Sequence, residues 1–320
     1  MKTGSNQQGV ALLAVLVAVV VLTVLIAVVA NNLDSRIGIA EQSKMTLANT
    51  AKVDAKVAEL IYIVATQRMS VAGVSQGNTQ QRQSPQVIEA FNIGPQLSAW
   101  SPVVLGDELR SDGFWYQQEG GLTYSIQNQL GLVPFNSSGQ FWLKKLLGSH
   151  KQSVSQQARL ADVLADYADA DNWRRPAGAE ANEYQQFNLP KPRNFLLQSC
   201  HEVKAMVQWR EFLKLNPAFT DFCSLGRAEV LNLNAIPITL WQKLWPDSAN
   251  NIQIKRQQGQ WLINSADTLA IEPSLYLMPE DFFTTLGGQV FCIKVKMQGQ
   301  TRSVYLSLGT GKLAPFEQRF

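Results

Sequence analysis

Between Asp169 and Glu183 the chain gathers five oxygen-bearing side chains in fifteen residues, Asp169, Asp171, Asn172, Glu180 and Glu183, with Gly178 among them. A hard divalent cation takes about six to eight oxygens from a flexible loop, so this segment has the right donor type. It is not an EF-hand, because Trp173 and Arg174 stand where that register needs a third ligand and a glycine. The competing reading is a solvated loop in which Asp169 caps a helix end or pairs with Arg174 or Arg175.

Other chemistry is sparse. Cys200, Cys223 and Cys292 are too far apart for a C-x-x-C zinc or redox motif. If the segment lies outside the cytoplasm, Cys200 and Cys223 could close a disulfide contributing about 3 kcal/mol in the chain-entropy model. Three buried free thiols fit the spacing equally, and Cys292, inside an apparent strand, reads as a small buried hydrophobe. His150 and His201 are the only imidazoles, and HEVKA at 201 lacks the second histidine of a zinc helix. Gly309-Thr310-Gly311-Lys312 lacks phosphate-loop spacing and reads as a turn. With no G-x-S-x-G elbow either, no catalytic residue is expected.

A composition of 46% apolar and 17% charged residues excludes a disordered chain or a polytopic membrane protein. The net charge of +3, without a block of five basic residues, argues against a nucleic-acid binder.

The segment that must place all of this is Val10 to Ala30, apolar throughout except for Thr23. As a helix it is about 30 Å long, the thickness of the bilayer hydrocarbon. Lys2 ahead of it favours a cytoplasmic N-terminus. A cleaved secretory signal ending at Val28-Val29-Ala30, a plain single-span anchor, and a leader cut before the apolar run all fit a polar start followed by such a segment. Leu33, Ile37, Ala40, Leu47, Val53, Val57, Leu60 and Val64 then recur at helical spacing to about residue 70, opposite Asp34, Arg36, Glu41, Lys44, Lys52 and Lys56.

Residues 73–85 read as a loop. Aromatic and β-branched runs at 87–93, 99–105, 113–121 and 122–135 suggest two or three strands. Helical patterns occupy 139–150, 153–171 and 200–215. The alternating run 290–308 is a strand pair with Gln298-Gly299 as its turn. The layout is thus α+β, with a long N-terminal helix, an antiparallel sheet and a helical insertion.

Gly9-Val10-Ala11-Leu12-Leu13 resembles the type IV prepilin and pseudopilin leader, in which a prepilin peptidase cuts after the glycine and the new N-terminus is methylated. Gln8 stands where Lys or Arg is common and Val10 where Phe or Met is usual. Ala14 replaces a Glu that most such subunits carry to pair with a neighbour's amine, which fits a subunit with nothing ahead of it. Leu160 to Tyr184 is similar to the general secretion pathway protein K family: Tyr167, Asp169, Asp171, Arg175, Pro176, Gly178, Glu180 and Tyr184 stand in the family's order. The proline-bearing segment from Leu189 and Asn232-Leu233-Asn234 follow in the same order.

That resemblance implies a minor pseudopilin of a type II secretion system, not an enzyme. Its parts would be a leader at 1–9, processed between Gly9 and Val10; an assembly helix at 10–30, continuing to about 70; a pilin-like α+β domain formed by 71–136 plus 227–320; and an inserted α-helical domain at 137–226. It also implies a single span of the inner membrane with a periplasmic head that caps the pseudopilus. The implied partners are I- and J-type minor pseudopilins, the major pseudopilin, the inner-membrane platform and the prepilin peptidase. Calcium is implied at Asp169, Asp171, Glu180 and Glu183. A minor pilin of a type IV pilus and a membrane-anchored periplasmic binding domain are the alternatives.

Overall fold

The computed structural model describes residues 7–77, 100–309 and 316–319. The expected strand at 87–93, most of the 73–85 loop and the turn at 309–312 fall largely outside them. The chain divides into two units, Met1–Ala55 and Lys56–Phe320. Helix α1, Gln7–Thr66, is continuous across that division, and no proline interrupts its 60 residues.

In the first unit the side chains from Leu12 to Leu33 are exposed. The few polar groups return their protons to the helix itself: Thr23 Oγ1 donates to the carbonyls of Val19 and Val20, Asn32 to Val28, and Ser35 to Asn31. A helix that satisfies its own polar groups can be placed in hydrocarbon without an orphan donor.

In the second unit, Val57, Leu60 and Val64 repeat at three- and four-residue steps and are buried. Lys56 pairs with Glu59 and stands 4.4 Å from the centre of the Tyr124 ring. Tyr124 belongs to a five-stranded antiparallel sheet of β4 (Tyr116–Gln118), β5 (Leu122–Asn128), β10 (Val290–Met297), β11 (Gln300–Leu308) and β12 (Phe316–Arg319), ordered β12-β11-β10-β5-β4. Alternation decides its faces. Phe291, Ile293 and Val295 are buried, while Lys296 on the other face is exposed. The β10–β11 turn lies at Gln298-Gly299, where both residues take positive φ, 45° and 83°, as a two-residue hairpin requires.

The start of the expected 73–85 loop is instead a strand. Gly73–Ser75 (β2) pairs with β1 (Met69–Ser70) and β3 (Glu108–Arg110). Only a glycine permits it, because a Cβ on Gly73 would collide with the carbonyl of Leu109. The described residues of the 99–105 run form no strand; they contribute a bridge at Ser101, which pairs with Ser70.

The remaining elements are helical: α2 (Phe141–Ser149), α3 (Val154–Ala168), α4 (Ala181–Gln186), α5 (Trp209–Leu215), α6 (Ile238–Leu244), α7 (Ala249–Gln257) and α8 (Ser265–Ile271). One apolar core runs through them from Leu132 to Leu275, so helices on both sides of residue 226 share it. Three of its indoles are fully buried yet satisfied: Trp142 Nε1 donates to Phe282 O, Trp209 Nε1 to Leu160 O and Trp241 Nε1 to Ser248 Oγ, whereas Trp245 Nε1 in the same core finds no partner. The expected helix over 200–215 is broken. Cys200–Ala205 is a 3-10 turn, and Gln208, at φ 68°, re-aims the chain before α5. Parallel two-residue strand pairs, β6 (Val133–Pro134) with β7 (Cys223–Ser224) and β8 (Leu231–Asn232) with β9 (Phe283–Thr284), tie distant segments of this core.

A buried ion pair joins α7 to the segment after β3. Arg256 Nη1 lies 3.1 Å from Asp112 Oδ2, and the guanidinium also donates to Ile236 O and Leu233 O. Arg110 holds the same carboxylate at 2.5 Å. Asp112→Ala leaves Arg256 charged in the interior and is expected to cost about 3–5 kcal/mol in urea unfolding of the detergent-solubilised chain. Arg256→Met is expected to cost less, because Arg110 still neutralises Asp112. The reverse order would show that this pair does not hold α7.

Candidate functional site: the apolar helix and the acidic loop

Two features carry functional weight. The first is the apolar part of α1. It has a membrane-length run without a charge and is the one candidate span among the described residues. Gly9 and Val10 fall within the first turns of the helix.

The second is the loop that follows α3. Helix α3 starts on a capping box in which Ser153 and Gln156 satisfy each other's backbone N–H. It buries Leu160, Val163, Leu164 and Tyr167. Asp166 falls on the same buried face and is fully enclosed. Its carboxylate organises the loop: it accepts from the backbone N–H of Arg175 and from Arg175 Nη1, the latter at 2.6 Å. Asp162 accepts from Ala177 N at 3.2 Å. Gly178 is needed because a Cβ there would overlap Asp166 Oδ2. Asp169 caps the end of α3 and shares Arg175 through Oδ2. Trp173 N donates to Asp171 Oδ1, and Arg174 pairs with Glu183 at 2.5 Å. Glu183 Oε2 also accepts from Glu180 N at 3.0 Å, anchoring the start of α4.

The loop is therefore the capped, arginine-paired arrangement in part, but its charges do not balance locally. Neither oxygen of Glu180 finds a hydrogen-bond donor, and neither does Asp169 Oδ1. Glu180 is only 7% exposed. Burial, with the charges of Asp166, Asp169, Asp171 and Glu183, pushes its carboxyl up to about 7. Burial likewise raises Asp166 against the pull of Arg175. Glu183 is lowered, first by the Glu180 N–H it accepts.

These orphaned, enclosed oxygens suit a hard cation by donor type and by charge. The four residues expected as ligands share one loop, but Arg175 and Arg174 occupy carboxylates of Asp169 and Glu183. Among the described residues no group of three or more His, Cys, Asp or Glu side chains is gathered at metal-holding distance. Asp166, the hub, was not among the expected site residues. Its signal was a carboxylate set in the apolar face of an amphipathic helix.

Cys200 and Cys223 are bonded, with their Cα atoms 6.0 Å apart, so the 3-10 turn is tied to β7. Cys292 is a buried free thiol. His201 is exposed, and His150 packs against Phe212 and Phe219 and bonds to Leu146 O.

Residues 126–217 match the family model described as type II secretion system (T2SS), protein K. No curated protein matches the chain. Among solved structures, the fold is similar to a chain of the crystal structure of the GspK-GspI-GspJ complex from the enterotoxigenic Escherichia coli type 2 secretion system. The TM-score is 0.51 at 12% identity, over 89% of this chain and 98% of that one. The chain thus resembles protein K in sequence over its acidic-loop region, and it shares an α+β fold, with a long N-terminal helix, with a component of that complex.

Two outcomes are expected from this geometry. Reduction, or Cys200→Ser with Cys223→Ser, lowers stability by about 3 kcal/mol, read as a shift in the denaturation midpoint between oxidised and reduced chain. In chelator, stability falls as pH rises from about 4.5 through 7, because the native state holds a proton on Glu180 that the unfolded chain has released. Glu180→Gln flattens that slope and stabilises the chelated chain at pH 8 by about 2–3 kcal/mol. An unchanged pH profile in this variant would remove Glu180 as its source.

Proposed function

We propose that the chain is a minor pseudopilin of a type II secretion system, of the protein K kind, and acts by assembly rather than by catalysis. The observation that carries this reading is the match of residues 126–217 to protein K, in a chain whose N-terminal helix exposes a membrane-length apolar surface.

In this reading the precursor is held in the inner membrane by residues 10–30, with its N-terminus in the cytoplasm and the second unit in the periplasm. Prepilin peptidase removes residues 1–9 and Val10 becomes the methylated N-terminus. The helix then leaves lipid and packs its apolar surface against sister helices, an exchange that costs little because both surroundings are apolar. I- and J-type minor pseudopilins are the proposed immediate neighbours, consistent with the complex to which the fold is similar. The major pseudopilin lies below, and the inner-membrane platform drives assembly.

Ala14 supports a position at the tip. A carboxylate there would have no neighbouring amine ahead of it and would be buried unpaired. The proposed role is to cap the pseudopilus and help initiate it for protein export. Calcium is proposed to bind the loop through Asp169, Asp171, Glu180 and Glu183, neutralising the carboxylates that Arg174 and Arg175 leave uncompensated.

The mature N-terminus tests the assignment. Mass spectrometry of protein recovered from membranes is expected to find N-methylated Val10. Met1 would mark a plain anchor and Asn31 a secretory signal, and either would overturn the reading. Calcium is separately expected to raise the melting temperature, and EGTA to lower it. An unchanged melting curve would remove the cation without touching the pseudopilin assignment.

A further inference from the structure

Two adjacent arginines enter the acidic loop, and they are held in unlike ways. The backbone N–H of Arg175 donates to the Asp166 carboxylate, and its Nη1 reaches Asp166 Oδ1 at 2.6 Å and Asp169 Oδ2 as well. Asp166 is fully enclosed, so withdrawing this guanidinium would strand a buried charge. Main chain and side chain together fix Arg175. Arg174 holds on through Nη1 to Glu183 Oε1 at 2.5 Å, while its side chain stays 52% exposed. Water takes over such a guanidinium when it lets go, which is why exposed pairs contribute little.

Glu183 is the carboxylate on which two demands meet. Its Oε2 accepts from Glu180 N at 3.0 Å and its Oε1 from Arg174, so both oxygens are engaged. Glu180 is buried, neither of its oxygens has a donor, and it feels the charges of Asp166, Asp169, Asp171 and Glu183. A carboxylate enclosed among carboxylates in this way points to a positively charged ligand. For Glu183 to join Glu180 around that ligand, one of its oxygens has to be released. The Glu180 N–H opens α4 and would be left without its acceptor. Arg174 is the partner that leaves at least cost.

We propose that Arg174 is a displaceable occupant of the cation site: it holds Glu183 while the loop is free and gives way to a divalent cation, whereas Arg175 stays on Asp166 as a fixed counter-charge. The inference rests on the calcium reading of this loop and does not depend on the pseudopilin assignment. The loop loads only from molecules in which Glu183 is free, and its apparent dissociation constant rises in proportion. A half-exposed pair makes that factor about two- to sixfold. Arg174 thus keeps Glu183 paired where divalent cations are scarce and sets the concentration at which the loop fills.

The test titrates calcium chloride into the EGTA-stripped full chain in phosphatidylcholine nanodiscs by isothermal calorimetry. Arg174→Gln is expected to tighten binding about two- to sixfold, and Glu183→Gln to weaken it. In the Glu183→Gln background the gain from Arg174→Gln should be at least twofold smaller, because no carboxylate is freed; loss of a distant positive charge would act equally in both backgrounds. A second measurement needs no variant. Phenylglyoxal labelling read by peptide mass spectrometry is expected to speed up at Arg174 on adding calcium, relative to Arg193, which pairs with Glu202. Equal gains in the two backgrounds, unchanged affinity in Glu183→Gln, or Arg174 labelling unmoved at saturating calcium would overturn the displacement and leave the cation site standing. Absence of calcium binding to every form would remove the site itself, and this inference with it.

Discussion

An apolar helical surface from Leu12 to Leu33 has to be taken out of water, and much of the chain's organisation answers that requirement. The helix closes its own backbone bonds. Thr23, Asn32 and Ser35 turn their polar atoms back onto preceding carbonyls. Lipid and a bundle of like helices meet the requirement almost equally, so the same segment can be an anchor at one stage and an assembly surface at another. Charged side chains cluster only after Ala30, and buried positions on α1 in the second unit begin at Lys56 and Val57.

The second unit is governed by a different constraint, the burial of charge. Asp112 is shared by Arg110 and Arg256, and the interior accepts the charges because each carboxylate–guanidinium contact is made, although Arg256 Nε finds no acceptor. Asp166 does the same for the loop after α3 through Arg175. Glu180 is the exception, enclosed by other carboxylates and without a donor. A neutral interior would not keep such a group ionised; a bound cation would. The same loop turns Trp173 and Arg174 outward, while Arg175 stays bound to Asp166 and Asp169.

Much of this was legible in the sequence. The long helix follows from its periodicity, and the β10–β11 hairpin from alternation around Gln298-Gly299. The α+β class follows from their order. The acidic loop was visible as a cluster, but not its hub: Asp166 lies in the last turn of α3, on the helix face that buries Val163 and Tyr167, outside the loop where the other carboxylates gather. Parallel pairs such as β6–β7 join residues about ninety apart through two residues each, too few to leave a pattern. The break at Gln208 needs a positive φ at a residue that gives no local signal. Gly73 is a strand residue for a reason that lies on another strand, the Leu109 carbonyl.

The central claim is that the apolar part of α1 ends against the helices of sister subunits. Cysteine cross-linking in cells reads this directly, with Leu16→Cys and Leu25→Cys in this chain and single cysteines at matching depths in the I- and J-type minor pseudopilins. The account predicts heterodimeric adducts at a subset of positions, with helical periodicity, when the secretion system is assembled. Cross-linking that is absent, or equal at every position, would mean the segment stays a lipid-facing tether and would contradict the account.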